Sequence, residues 1–195
     1  MSYLAHSDMS FQTYVKPPMA SNDDVKAIKA TALRYLARRE YSRLELFRKL
    51  SQKYASGDTI QNVLTQLKEQ GYQSDDRFTE MFIRSKVRAG NGPFKIKIEL
   101  REKGICESTV LSAFDKQSID WFAVAEQVKN KRFGRAGVVV STDDECHGHE
   151  YDNNEHDTNT YQSDMNLLAK QVRYLKNKGF YQEHIEEVTK KINDF

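Results

Sequence analysis

The chain has 195 residues, 30 Lys+Arg against 28 Asp+Glu for a net charge of +2, 38% apolar and 30% charged residues, and two cysteines, Cys106 and Cys146. No apolar run approaches the roughly 20 residues of a membrane-spanning helix, two cysteines cannot staple a disulfide scaffold, and the first ten residues lack the basic start and apolar stretch of a secretory signal. A cytoplasmic chain with no membrane partner is expected.

Residues 1–20, with three Ser, three Met, Gln12 and the pair Pro17-Pro18, read as a poorly ordered tail. After them only Pro93 remains, so helix can follow helix, punctuated by glycines at 57, 71, 90, 92, 104 and 179. Periodicity predicts a first helix over Asp23–Arg39, capped by Ser21 or Asn22, with Ile28, Ala32, Leu33 and Leu36 on one face. The second runs over Ser42–Tyr54 with Leu46, Phe47 and Leu50 inward, and the third over Asp58–Gln70 with Ile60, Val63, Leu64 and Leu67. A fourth starts at Ser74-Asp75-Asp76, where acids suit a helix N-terminus, and reaches Ala89. Gly92-Pro93 opens a fifth that ends at Gly104, a sixth covers Glu107–Lys116, and a seventh contains Trp121, Val124 and Val128. Phe94–Leu100 alternates with period two and locally reads as a strand.

An internal repeat overrides that local reading. Leu50-x-x-Lys53, Leu100-x-x-Lys103 and Leu175-x-x-Lys178 are followed ten residues after the leucine by Ile60, Val110 and Ile185, and three later by Val63, Ala113 and Val188. Gly104 and Gly179 match each other where the first copy has Tyr54. Phe94–Leu100 falls on the same element as Leu46–Leu50, so it is helical. The predicted fold is all-α, an elongated tandem array of three three-helix, helix-turn-helix-like repeats over residues 21–72, 73–117 and 118–195. The third copy carries about 25 extra residues near 134–158. Between Gly134 and Asp164 stand eight acids and one base, a net −7 that leaves +9 on the rest. This composition predicts a surface loop. A basic body with an acidic segment suits a polyanionic or acidic partner, although solvated helix faces have a similar composition.

Catalytic patterns do not assemble. Cys146, His147, His149 and His156 lack structural-zinc spacing, and nothing would hold Cys146 and His147 in register as nucleophile and base. Asp75-Asp76 fits a helix start, and Gly90-Asn91-Gly92-Pro93 lacks the Gly-Lys-Ser/Thr ending of a phosphate loop. The chain is read as a non-enzyme with no cofactor and no metal. Basic residues recur at helical spacing instead: Arg34 and Arg38, with Arg39 and Arg43 close behind; Arg84 and Arg88, with Lys86 between; Lys129 and Arg132, with Lys131 beside them; Arg173 and Lys176; Lys95 and Lys97 join them as candidate binding residues on charge alone. Aligned from unit to unit, they would form a stripe able to track a phosphate backbone. Tyr35, Tyr41, Tyr54 and Tyr174, interleaved with them, either stack on bases or pack at helix edges.

Several strings then occur in a distinctive order: Gly71-Tyr72, Asp75-Asp76-Arg77-Phe78, Arg84-Ser85-Lys86, Gly90-Asn91-Gly92-Pro93 and Ile96-x-x-Glu99-Leu100-x-x-Lys103-Gly104-Ile105. Flanking them are Ala32-Leu33-x-x-Leu36-x-x-Arg39-x-x-Ser42-x-x-Glu45-Leu46, Lys131-Arg132-Phe133-Gly134 and Lys178-Gly179-Phe180. The ensemble, over roughly Val25–Ile192, resembles the RecX family of bacterial RecA regulators, with the acidic insertion as its departure. The resemblance implies an all-helical, three-repeat modulator that lies along the filament of RecA on single-stranded DNA and inhibits ATPase, strand exchange and co-protease activity; a monomer is expected, with oligomeric state open. A duplex-DNA contact is also open. Without the resemblance, a DNA-binding module acting independently of RecA and a scaffold for another protein read equally well.

Overall fold

The computed structural model describes residues 22–134 and 156–190, with side chains in the second stretch from Met165 onward. Among the described residues the chain forms nine helices and no strand: α1 (Asn22–Leu36), α2 (Arg43–Ser51), α3 (Gly57–Glu69), α4 (Asp75–Arg88), α5 (Pro93–Glu102), α6 (Glu107–Gln117), α7 (Trp121–Phe133), α8 (His156–Lys178) and α9 (Gln182–Lys190). Local chemistry sets the starts. Ser42, Ser56, Ser74 and Asp120 each accept a hydrogen bond from the amide three residues on. Gly92 leads into α5 with Pro93 in its first turn.

Packing groups the helices in threes, α1–α3, α4–α6 and α7–α9, each around its own apolar cluster. The repeat positions are the core: Leu50, Leu100 and Leu175 are fully buried, as is Ile60, and Val110 and Ile185 nearly so. Phe94–Leu100 is helical because Ile96 and Leu100, one turn apart, both enter the second cluster. No local rule could have chosen between its two periods.

Three boundaries differ from the sequence reading. α1 stops at Leu36, and Arg38 and Arg39 lie in a tight turn in which both amides donate to the Tyr35 carbonyl. α2 stops at Ser51, with the Lys53 and Tyr54 amides closing on Leu50. α8 already includes His156–Thr158, placed by composition in the acidic loop. The rest of that loop, the N-terminal tail and Ser21 lie outside the described residues.

One junction joins successive units twice. In the first, the Ser42 hydroxyl at the N-cap of α2 donates to the Lys103 carbonyl (2.8 Å), at the end of α5, while accepting from the Glu45 amide. In the second, Gly92 holds the equivalent place before α5. Its amide donates to the Lys178 carbonyl (2.8 Å) and that of Phe94 to the Gly179 carbonyl (3.0 Å). Donors at one helix start, a hydroxyl in the first junction and amides in the second, thus meet orphan carbonyls at a helix end in the next unit, with the helix dipoles in a favourable arrangement. Gly104 and Gly179 take φ of +78° and +84° in the receiving turns. A Cβ on Gly104 would meet Leu44 at 2.9 Å, and one on Gly179 would meet Lys95 at 2.4 Å. Tyr54, in the first copy, receives no preceding described unit. Its hydroxyl bonds inward to Thr31 (2.9 Å) and the Ala27 carbonyl (3.2 Å).

Two outcomes follow from this packing. Gly92 has an ordinary φ of −82°, but a Cβ there would meet the Gly179 carbonyl oxygen at 2.4 Å. Gly92→Ala is expected to cost about 1–3 kcal/mol, read as a lower urea midpoint; an unchanged midpoint would mean the two units do not approach this closely. In the third unit, buried His184 accepts from the Tyr181 amide through Nδ1 (3.3 Å), and burial lowers its pKa against the opposing charge of Glu183. Below the unfolded value of about 6.5 the unfolded chain then binds more protons, so stability falls as pH drops through that window. Thermal midpoints measured from pH 7 to 5 should decline for the native chain and decline less for His184→Gln.

Candidate nucleic-acid interface

The turn that ends α1 early gathers Arg38, Arg39, Lys49 and Lys53 around two tyrosines. It turns Arg39 back over the Tyr41 ring, with Cζ 3.8 Å from the centroid. Across from it, α2 presents Lys49, 5.4 Å from the Tyr35 ring and 5.8 Å from that of Tyr41, and Lys53 follows 5.5 Å from Tyr35. The two tyrosines lie 5.9 Å apart. The Tyr35 phenol is held below its ordinary pKa, first by its hydrogen bond with Lys53 and then by the charges of Lys53, Lys49 and Arg38, against the effect of burial.

Carboxylates do little to quench the cluster's charge. Glu45 lies 3.6 Å from Arg39 but is held more closely by Lys103 of the second unit, at 2.6 Å. Among the described residues, Arg38, Lys49 and Lys53 enter no ion pair. Cations beside aromatic rings with charge to spare suit a phosphodiester strand.

The other expected basic residues divide by what they already touch. Arg34 reaches the Thr31 hydroxyl (3.5 Å). Because α1 has ended, it shares no helical face with Arg38. Arg43 is engaged by Gln61 (3.0 Å) and Thr65 (2.9 Å). Lys86 pairs with Glu99 and lies over the Phe82 ring, so of the α4 set Arg84 and Arg88 remain exposed. Lys95 sits half-buried at the second junction, and Lys97 half-buried on α5 beside the Tyr181 ring. Lys129 is buried and donates to the Val188 carbonyl (2.5 Å), so α7 offers Lys131 and Arg132 to solvent but not Lys129. Arg173 and Lys176 are exposed on α8. Of the tyrosines, Tyr54 is bound inward, and Tyr174 packs edge-on against Phe133.

Sequence reasoning missed Lys49 and Lys53. Lys53 did carry a signal, as the invariant lysine of the internal repeat. Each copy of it lies over an aromatic ring of its own unit: Lys53 on Tyr35, Lys103 on Phe82 and Lys178 on Tyr174, at 5.5 to 5.7 Å. Among the described residues no group of histidine, cysteine and carboxylate side chains could hold a metal ion, and no helix is long and apolar enough to cross a membrane.

Cys106, exposed before α6, is the one chemically reactive thiol in the described part. The Ser108 (3.2 Å) and Thr109 (3.1 Å) hydroxyls and the Thr109 amide lower its pKa to about 7. Its partners are hydroxyls, with no histidine or carboxylate to act as a base. Iodoacetamide labelling of Cys106, followed by peptide mass spectrometry, should rise with pH through a midpoint near 7. Ser108→Ala should move that midpoint upward.

Comparison with known proteins agrees with this architecture. The RecX first three-helix domain matches residues 29–67, and the RecX second three-helix domain residues 74–113. The regulatory protein RecX of Legionella pneumophila is 35% identical over 162 residues, covering 83% of this chain and 92% of its relative. That of Halorhodospira halophila is 40% identical over 113 residues, 58% of this chain and 70% of the other. In fold, the crystal structure of RecX from Lactobacillus salivarius matches with a TM-score of 0.65 at 21% identity, covering 89% of this chain and 99% of that one. With a relative this similar along almost its whole length, and with both domain matches falling on the first two helical triplets, the chain belongs to the RecX family of regulatory proteins.

Proposed function

We propose that this protein is a non-catalytic regulator that lies along the filament of RecA on single-stranded DNA and inhibits its ATPase, strand exchange and co-protease activity. The observation that carries the DNA-contacting part is the cluster of Arg38, Arg39, Lys49 and Lys53 around two tyrosines, in a chain of the RecX family. The exposed Arg84, Arg88, Lys131, Arg132, Arg173 and Lys176 extend the supply of cations along the array. Three units in series reach further than a sphere of the same mass. An array touching neighbouring recombinase subunits at once would oppose the rearrangement that accompanies ATP turnover.

The test is RecA's DNA-dependent ATPase, titrated with this protein beside a naked-DNA binding curve at the same salt. Inhibition is expected well below the concentration that coats the DNA. Inhibition only at coating levels would leave a DNA-binding module acting independently of RecA. Reversing Arg38 and Lys53 to Glu should weaken single-strand binding and flatten its log–log salt slope by about 0.7 for each phosphate the variant no longer neutralises. An unchanged slope would remove the cluster from the DNA-binding surface.

A further inference from the structure

A cavity of about 400 Å³ opens where the second and third units meet. Its walls are branched aliphatics, Ile98 on α5 with Ile105 and Val110 near the start of α6. At the mouth stand Phe94, 52% exposed, and Tyr181, their rings 6.1 Å apart and edge to face. Lys97 and Arg101 lie one turn apart on α5 and flank the opening, opposed on the lining by Glu107 alone. Neither cation enters an ion pair among the described residues.

We infer that this cavity binds an acidic peptide segment of a protein partner through one buried apolar side chain. The volume is at the small end of ligand sites, suited to an anchor residue, and the two free cations match carboxylates beside that anchor. A nucleobase fits less well. The aliphatic walls of Ile98, Ile105 and Val110 offer no flat surface for a base to stack on, and Lys97 already occupies the space near the Tyr181 ring (5.9 Å). Phe94 stands edge-on to Tyr181 and cannot form a parallel slot with it. The first-unit cluster contrasts with this, having four cations against two tyrosines. The molecule thus separates a site for phosphates from a site for an acidic protein segment.

The inference deepens the protein-contacting half of the proposed function and is tested apart from recombinase. The probe is a fluorescein-labelled peptide, Asp-Glu-Asp-Phe-Glu-Asp-Glu, titrated with the full chain and followed by anisotropy. Saturable binding is expected, and about tenfold weaker binding (1.4 kcal/mol) for Lys97→Glu with Arg101→Glu, for Phe94→Ala, and for the peptide with Ser in place of Phe. Reversing Arg38 and Lys53 should leave peptide affinity unchanged. If Phe94→Ala loses helicity, the charge reversal at exposed Arg101 and half-buried Lys97 decides. Absence of saturable binding, or equal affinity for the two peptides, overturns the inference. So does displacement of the peptide by a short thymidine oligonucleotide together with loss of DNA binding in the cavity variants, which would make the cavity a base pocket. A chain that inhibits the recombinase without binding the peptide overturns only this inference. One that binds the peptide but spares the ATPase overturns only the filament reading.

Discussion

The array depends on close docking of a helix start in one unit against a helix end in the next. Twice, amides or a hydroxyl at the start of a unit's middle helix donate to carbonyls of the following unit's turn, Ser42 to Lys103 and then Gly92 and Phe94 to Lys178 and Gly179. These contacts satisfy groups that a helix leaves open at its ends, and burying them unpaired would be costly. They form only if the backbones come near enough to touch, which leaves no room for a Cβ at Gly104 or Gly179. Each unit has its own apolar cluster, and Trp121 packs against both the second and the third. The units' relative placement rests on these polar contacts, on flanking ion pairs including Arg77–Glu40 (2.9 Å), and on aromatic contacts across the second junction, Phe94–Tyr181 and Phe114–Trp121.

That construction also explains the two candidate sites. Between α1 and α2 the chain reverses in a tight turn, which brings the Arg38–Arg39 pair to the side chains of α2 and gathers cations over Tyr35 and Tyr41. At the second junction, Phe94 and Tyr181 meet from opposite sides and leave space below them, walled by the aliphatic face of α5 and the start of α6. The first site arises within one unit and the second only when two units dock. Their lining chemistry differs accordingly, charge and phenol in one, aliphatic carbon with a charged rim in the other.

Much of the fold was legible because repetition amplifies a weak local signal. A single Leu-x-x-Lys means little, but three copies followed by apolar residues at matched distances define which side chains enter each core, and all of those positions are buried. The candidate site was much less legible. Helical spacing groups Arg34 with Arg38, yet α1 ends between them, and it groups Lys129 with Arg132, yet Lys129 turns inward to the Val188 carbonyl. Lys86 looks as free as Arg84 until Glu99, thirteen positions later, arrives beside it. A charge's availability depends on what surrounds it, and those neighbours are remote in sequence.

By itself, then, the sequence determined the helical class, the triplet repeat, the core positions and the serine and aspartate caps, because each is set by periodicity or by a side chain within four residues. Tertiary structure decided the need for glycine at 104 and 179 but not at Tyr54, and which cations remain open to a partner. Those outcomes turn on contacts between helices distant in sequence: a neighbouring helix start that excludes a Cβ, and carboxylates that reach a lysine on another helix or in another unit.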